Sequence, residues 1–191
     1  FRFAYEEVGW SGEAPPLATE IVIEARSGDT CTVRMVHSLF TSRDDWDKEI
    51  EGMENGWPPF FRILRIYLGS FSGMRAASAR PTVTFAGSQD AAWRAVRSAL
   101  GLAGAAAGEK RDVAASGGPR LAGTVEDVRE TARDRAVTLR LEAPAPGAAM
   151  IGTYEWAGKV NVAVSLFFYG DDADAVLARE APRWEAWMRS L

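Results

Sequence analysis

The chain has 191 residues, of which 47% are hydrophobic and 25% charged, and its formal net charge is -4. This composition is typical of a globular protein with one or two domains, and its acidic balance disfavours a nucleic-acid partner, which needs a clustered basic surface. No apolar run approaches the roughly 20 residues of a membrane-spanning helix. With Cys31 as the single cysteine, no disulfide forms within these residues, and we expect a cytoplasmic protein without a metal or cofactor.

The first part of the chain predicts strands. Residues 1–5, FRFAY, have an aromatic side chain at every second position, as one face of a strand would. Residues 19–26 and 30–40 alternate in the same way and are separated by Ser27-Gly28-Asp29, whose residue types favour a turn. These two segments therefore predict an antiparallel hairpin. On the second strand Cys31 belongs to the apolar face, and we expect it to be a buried thiol.

A long helix is predicted from Ser42 onward. Its apolar residues recur at helical spacing and predict one buried stripe, composed of Trp46, Ile50, Met53, Trp57, Phe61, Leu64 and Leu68. Pro58 and Pro59 interrupt the pattern, which predicts either a kink or a second helical segment that starts with proline in its first turn.

The remainder of the chain begins with a segment of small and polar residues. Residues 71–80 predict an interdomain linker, and residues 103–118, rich in Ala, Gly and Ser, predict a mobile loop. Ser88 predicts the N-cap of a helix. The predicted elements are strand 81–86, helix 88–102, strands 121–130, 136–142, 149–156 and 159–169, and a closing helix over 171–191.

A sequence repeat relates the two parts of the chain. Residues 38–47, SLFTSRDDWD, recur as residues 165–174, SLFFYGDDAD. Two copies of a strand-then-helix unit predict two homologous domains, residues 1–70 and 81–191, of which the first lacks the opening strand and helix of the second. A helix, antiparallel strands and a long closing helix give an α+β order. We therefore expect a helix-grip fold, a curved antiparallel sheet wrapped on a long C-terminal helix, in two copies with the first N-terminally incomplete.

The chain also resembles a known family. Residues 33–38, VRMVHS, followed by DDWD at 44–47 and ENGWP at 54–58, resemble the carboxy-terminal half of proteins related to the activator of Hsp90 ATPase, in the START-like (SRPBCC or Bet v 1-like) superfamily. TVTF at 82–85, followed by AW at 92–93, resembles the family's first strand and helix. The resemblance implies a helix-grip fold with an apolar pocket under the terminal helix. Pockets in this superfamily hold lipids, polyketides or hormones, and some members are cyclases or hydrolases, so it implies no single reaction.

The candidate ligand-binding residues lie on the second strand and the long helix: Met35, His37, Met53, Trp57 and Phe61. His37, the one histidine of the chain, lies in an apolar row. It is either a pocket acid–base or polar anchor, or a histidine bonded to a backbone carbonyl. No second histidine joins it in a metal site. Other tryptophans, such as Trp93, Trp184 and Trp187, are expected in the core.

Three functions remain open on the sequence. The first is a binding protein for a small hydrophobic ligand, held in an apolar cavity between the sheet and the C-terminal helix. The second is an enzyme of the same fold, a cyclase or hydrolase with His37 as acid–base, for which no catalytic motif is identified. The third is an interaction module associated with an Hsp90-type chaperone. Apolar surface left by a halved first domain predicts either a homodimer or tight pairing of the two copies.

Overall fold

The protein is described from a computed structural model, in which the chain divides into two compact units, residues 1–61 and 62–191. The structure describes residues 17–28, 30–39, 47–114, 118–131 and 134–191, with side chains except at residues 17, 37, 39 and 47–56. The predicted strand over residues 1–5 and the predicted helix start at Ser42 lie outside these ranges.

The first unit contains the predicted hairpin. Strand β1 (Leu17–Ala25) pairs antiparallel with β2 (Cys31–Leu39), with Ile21 opposite Met35. Helix α1 (Asp47–Ser70) begins in this unit and ends in the second, and it contains both Pro58 and Pro59. Of the two alternatives predicted at the prolines, a kink or a restarted helix, the second is wrong, since one helix runs through both residues.

The second unit is built on one antiparallel sheet of seven strands. Their order is β3-β9-β8-β7-β6-β5, with β4 also paired to β9. The strands are β3 (Ala76–Ala79), β4 (Thr82–Phe85), β5 (Lys110–Ala114), β6 (Arg120–Glu130), β7 (Asp134–Ala143), β8 (Gly147–Trp156) and β9 (Lys159–Tyr169). Helix α2 (Gln89–Ala99) follows β4, and helix α3 (Ala173–Met188) follows β9. The α+β class is confirmed.

Two segments that composition predicted to be irregular contain strands. Ala76–Ala79, inside the predicted linker, form β3 and pair with β9, and Ala77 there is buried. Lys110–Ala114, inside the predicted loop, form β5 and pair with β6. Both predictions were wrong in these parts because an edge strand takes its structure from the neighbour it pairs with, whereas its own residues need little strand propensity.

The sheet of the second unit has two differently covered faces. The inner face, which α2 and α3 cover, carries Val162, Val164, Leu166 and Phe168 of β9 within one buried cluster. The outer face carries the remaining alternate residues of β9, such as Tyr169. Because successive side chains of a strand point to opposite sides, each strand contributes to both layers.

The end of α1 covers part of the outer face. Ile63 and Ile66 of α1 are buried together with Phe71, Ala148 and Tyr169. The predicted stripe is thus wrong for the second half of the helix, where Phe61 is 36%, Leu64 39% and Leu68 56% exposed. The helix bears two apolar rows in this region, and the row that packs on the outer face is the one that contains the isoleucines.

Two irregularities bend the sheet between β6 and β7. Their register shifts between Ala122 and Gly123 and again between Val125 and Asp127. Such bulges bend a strand and increase its twist. Gly123 is required here because a Cβ at this position would lie 2.0 Å from the carbonyl oxygen of Arg140. These irregularities lie in the part of the sheet away from β9.

Candidate functional site

The predicted site residues all belong to the first unit. Met35 on β2 and Trp57 on α1 are half-buried, and Phe61 is exposed. The rings of Trp57 and Phe61 lie 6.1 Å apart at their centroids, so the structure brings these two residues together. The side chains of His37 and Met53 lie outside the described part of the chain, so the assignment of the five residues as a ligand site stays a prediction.

Cys31 differs from its prediction. It is exposed, and Val33, two residues further on the same face of β2, is 38% exposed. In the part of the first unit that the structure describes, the sheet has two strands, and two strands alone bury a face poorly. The alternating pattern of β2 thus predicted the strand correctly and the burial of this thiol wrongly.

The second unit encloses an apolar interior between its sheet and its helices, which we call the inner compartment. The backbone of α2 lies closest to β8 and β9, and that of α3 lies closest to β9, β3 and β4. The inner-face side chains of β5, β6 and β7 are nevertheless buried, namely Val113, Leu121, Val125, Val137, Leu139 and Leu141. The segment that follows α2 contributes to their cover: Leu100 and Leu102 belong to the same cluster, and the Gly108 amide donates a hydrogen bond to the Val125 carbonyl of β6.

Helix α2 is fastened over this compartment by polar contacts at the sheet's end. Its predicted N-cap is confirmed, since the Ser88 hydroxyl accepts a hydrogen bond from the Ala91 amide. The buried side chain of Gln89 donates to the backbone oxygen of Thr153 at 3.2 Å. Asp90 pairs with Arg135 of β7, and Arg97 pairs with Glu130 of β6 at 2.5 Å.

One of these contacts also holds an aromatic ring in place. The Arg97 guanidinium lies 5.6 Å from the centre of the Trp93 ring, a cation–π arrangement. Trp93 is 2% exposed, as its prediction as a core residue requires. The ion pair with Glu130 and the ring contact therefore join α2, β6 and the interior through a single arginine.

Helix α3 closes the other side of the compartment. Trp184 is fully buried, and its ring packs edge-on against Trp187 with centroids 5.4 Å apart. Glu180, one turn earlier, is 2% exposed, and its carboxylate accepts hydrogen bonds from Arg179 at 2.8 Å and Arg183 at 3.1 Å. Both arginines are half-exposed. Their positive charges therefore balance the buried carboxylate from the side of the helix that faces solvent.

Polar groups without partners lie within the compartment. The indole nitrogens of Trp93 and Trp184 and the hydroxyl of Thr153 are buried without a hydrogen-bond partner among the described residues. Thr153 continues the inner-face series of Ala149 and Ile151 on β8 and lies opposite Val162 of β9. An indole N–H can only donate a hydrogen bond. The two indole groups in this interior therefore lack hydrogen-bond acceptors.

The sequence alone had indicated only part of this arrangement. It predicted Trp93 and Trp184 as core residues without a polar role, and it passed over Gln89 and Thr153. The available signal for Thr153 was its place in an apolar series of alternate residues, where a polar side chain is unusual. Gln89 carried no such signal, because the first turn of a helix is commonly polar.

A perturbed titratable group lies outside the compartment, on the outer face. Burial raises the pKa of Tyr169 to about 12, and the neighbouring Tyr67 adds to the shift. The Tyr169 ring stacks on Phe71 with centroids 4.7 Å apart and lies 5.3 Å from the ring of Tyr67. This tyrosine is therefore a packed core residue, and its phenol stays neutral at physiological pH.

Comparisons with known proteins give no match that would indicate a function for this chain. No family model matches the chain, and no curated protein or solved structure matches it. Within the described ranges no group of three His, Cys, Asp or Glu side chains is placed to hold a metal ion. None of the helices seen there is both long and apolar enough to cross a membrane. The fold and the compartment define an α+β protein with two helices on one face of an antiparallel sheet.

Proposed function

We propose that this chain is a binding protein for a small hydrophobic molecule, held between the antiparallel sheet and the C-terminal helix. The observation that carries the proposal is the inner compartment. It is an apolar interior between a sheet and two helices, and it contains three buried polar groups without a hydrogen-bond partner among the described residues. Apolar surroundings with a few polar groups are the usual setting of a small-molecule site.

The resemblance to the START-like superfamily supports the same function and suggests its finer form. In this form the second unit is a helix-grip domain, and β2 with α1 is the corresponding part of a first copy. The repeat of residues 38–47 at 165–174 supports the relation. Met35, His37, Met53, Trp57 and Phe61 would then contact a ligand in the first copy.

The test is to identify what the protein carries when it is purified from cells. Native mass spectrometry of the full chain, followed by organic extraction, detects a bound molecule by its added mass. We expect a hydrophobic compound in molar proportion to the protein. A protein that is free of bound compounds, and that also fails to bind a panel of lipids and polyketide-like compounds, would contradict the proposal.

A further inference from the structure

The unpaired donors of the inner compartment constrain the chemistry of its occupant. Trp93 projects from α2 and Trp184 from α3, and both belong to the continuous cluster of buried side chains between the sheet and the helices. Neither indole nitrogen has a hydrogen-bond partner among the described residues. Leaving a buried donor unpaired costs stability, so native proteins rarely keep such groups without a ligand, a water or a functional reason.

We propose that the inner compartment binds a neutral, largely apolar molecule through carbonyl-type oxygens, which accept hydrogen bonds from the indole N–H groups of Trp93 and Trp184. The inference rests on the proposed function and specifies the ligand class. The Thr153 hydroxyl, also buried and unpaired, can donate to such an oxygen or accept from a hydroxyl of the ligand. Ketones, esters and quinones have the required chemistry.

The charge distribution favours a neutral ligand over an anionic one. Among the described residues that are buried, Glu180 is the one with a charged side chain, and it is itself an acid. The cations beside this interior already have acidic partners. Arg97, which lies on the Trp93 ring, pairs with Glu130, and Arg179 and Arg183 pair with Glu180. A carboxylate ligand would therefore lose its water without gaining an unpaired cation, which is strongly unfavourable.

A buried water molecule is a poorer partner for the two indole N–H groups than a ligand carbonyl oxygen. A buried water molecule is held by about two to four polar partners. A water that accepts from an indole still has two hydrogens to donate, and the compartment offers few acceptors because its walls are chiefly valine and leucine, as at Val125 and Leu139. A carbonyl oxygen carries no hydrogens, so it accepts from the indole without needing a further acceptor itself.

The test compares three probes with one ring system: the methyl ketone acetylnaphthalene, its hydrocarbon counterpart ethylnaphthalene, and the anion naphthoate. Calorimetric titration of the full chain measures their dissociation constants. We expect the ketone to bind about tenfold or more tightly than the hydrocarbon, as one to two additional neutral hydrogen bonds imply, and naphthoate to bind most weakly.

A spectroscopic readout identifies the groups that respond. In ¹⁵N-labelled protein each tryptophan side chain gives one indole N–H signal, and the ketone, with its single carbonyl oxygen, should shift that of Trp93, of Trp184 or of both downfield. Trp93→Phe and Trp184→Phe assign these signals, and the loss of a responding indole should reduce the preference for ketone over hydrocarbon. Trp156→Phe is the matched control, since Trp156 is 54% exposed on the β8–β9 hairpin. If a variant fails to fold, the signals of the unaltered protein still decide the question.

The outcomes separate this inference from the proposed function. Equal binding of ketone and hydrocarbon, or tightest binding of naphthoate, overturns the inference while the proposed function stands. Indole signals that stay in place while the ketone binds also overturn it. If none of the probes binds and no compound is extracted from purified protein, the inference and the proposed function both fail.

Discussion

At the scale of single residues, Gly123 shows how the bend of the sheet depends on a missing side chain. A Cβ there would meet the Arg140 carbonyl oxygen at 2.0 Å, which belongs to the backbone of the adjacent strand. We predict that Gly123→Ala destabilises the protein by about 1–3 kcal/mol, the usual cost of overpacking a filled interior. Thermal unfolding measures this as a fall in Tm of about 2–4 °C per kcal/mol.

The matched control for this substitution is Gly69→Ala in α1. A Cβ at Gly69 has open space around it, and alanine is favoured over glycine in a helix by about 0.5–1 kcal/mol. The control should therefore leave Tm unchanged or raise it. Equal Tm values for the two variants would show that the close approach between β6 and β7 is not maintained in solution.

Tyr169 provides a residue-scale prediction for alkaline pH. Its pKa is raised from 10.0 to about 12 chiefly by burial, so the folded state holds the phenolic proton more tightly than the unfolded chain does. The sign follows from linkage: this contribution to stability is complete below pH 10 and is lost as the pH rises towards 12. An absorbance titration of the four tyrosines should show one phenol ionising late.

The assignment of this late phenol requires two variants. Tyr169→Phe should remove the late component and reduce the loss of stability between pH 10 and 12. Tyr154→Phe, which changes a half-buried tyrosine on β8, should leave the late component in place. Ionisation of all tyrosines in one step near pH 10 would be inconsistent with a buried Tyr169.

At the scale of elements, α2 depends on a few polar contacts to stay over the compartment. Arg97 makes both the ion pair with Glu130 and the contact with the Trp93 ring. We predict that Arg97→Met, which keeps an apolar stem, lowers the free energy of unfolding by about 1 kcal/mol through the loss of both interactions. Arg94→Met, on the exposed side of the same helix, is the control and should have little effect in urea unfolding.

Salt offers a second check on the same helix. The ion pair of Arg97 is partly exposed, so high ionic strength should weaken it and reduce the difference between Arg97→Met and the unaltered protein. The cation–π part should persist, because the guanidinium lies directly against the ring. A substitution effect that is the same for Arg97 and Arg94 would contradict the proposed anchoring of α2.

The elements also show what the sequence could predict and where it failed. Strands β1, β2 and β6 to β9 alternate clearly and were predicted, as were α2 and α3, because each carries a complete local pattern. Strand β3 has the sequence AASA, which contains no pattern, and it exists through its pairing with β9. Such strands are determined by contacts distant in sequence, which periodicity does not report.

Helix α1 illustrates a different limit. Leu64 and Leu68 continue the apolar spacing of the first half of the helix, whereas Ile63 and Ile66 form a second row. Periodicity identified the helix but could not determine which row would be buried, and the structure buries the isoleucines. The same limit applies to the candidate site. The burial of residues such as Trp184 was predictable from the sequence, but whether a buried donor has a hydrogen-bond partner depends on neighbours that are distant in sequence.

At the scale of the whole molecule, the two units offer two different places for a ligand. The sequence places it at Met35, Trp57 and Phe61 in the first unit, whereas the geometry favours the inner compartment of residues 62–191. A ligand stabilises only the structure that it contacts. At a hundredfold excess over its dissociation constant, it adds about 2.7 kcal/mol to the stability of that structure.

Hydrogen exchange of the full chain therefore locates the ligand. With a bound ketone or extracted compound, we predict slower exchange in β6 to β9 and in α3, because opening of this unit then requires release of the ligand. Exchange in the β1–β2 hairpin, residues 17–39, should stay the same. Protection of the hairpin alone would place the ligand in the first unit and refute binding in the inner compartment. Protection of both units would support two equivalent sites, because each unit slows its exchange only when it contacts a ligand itself.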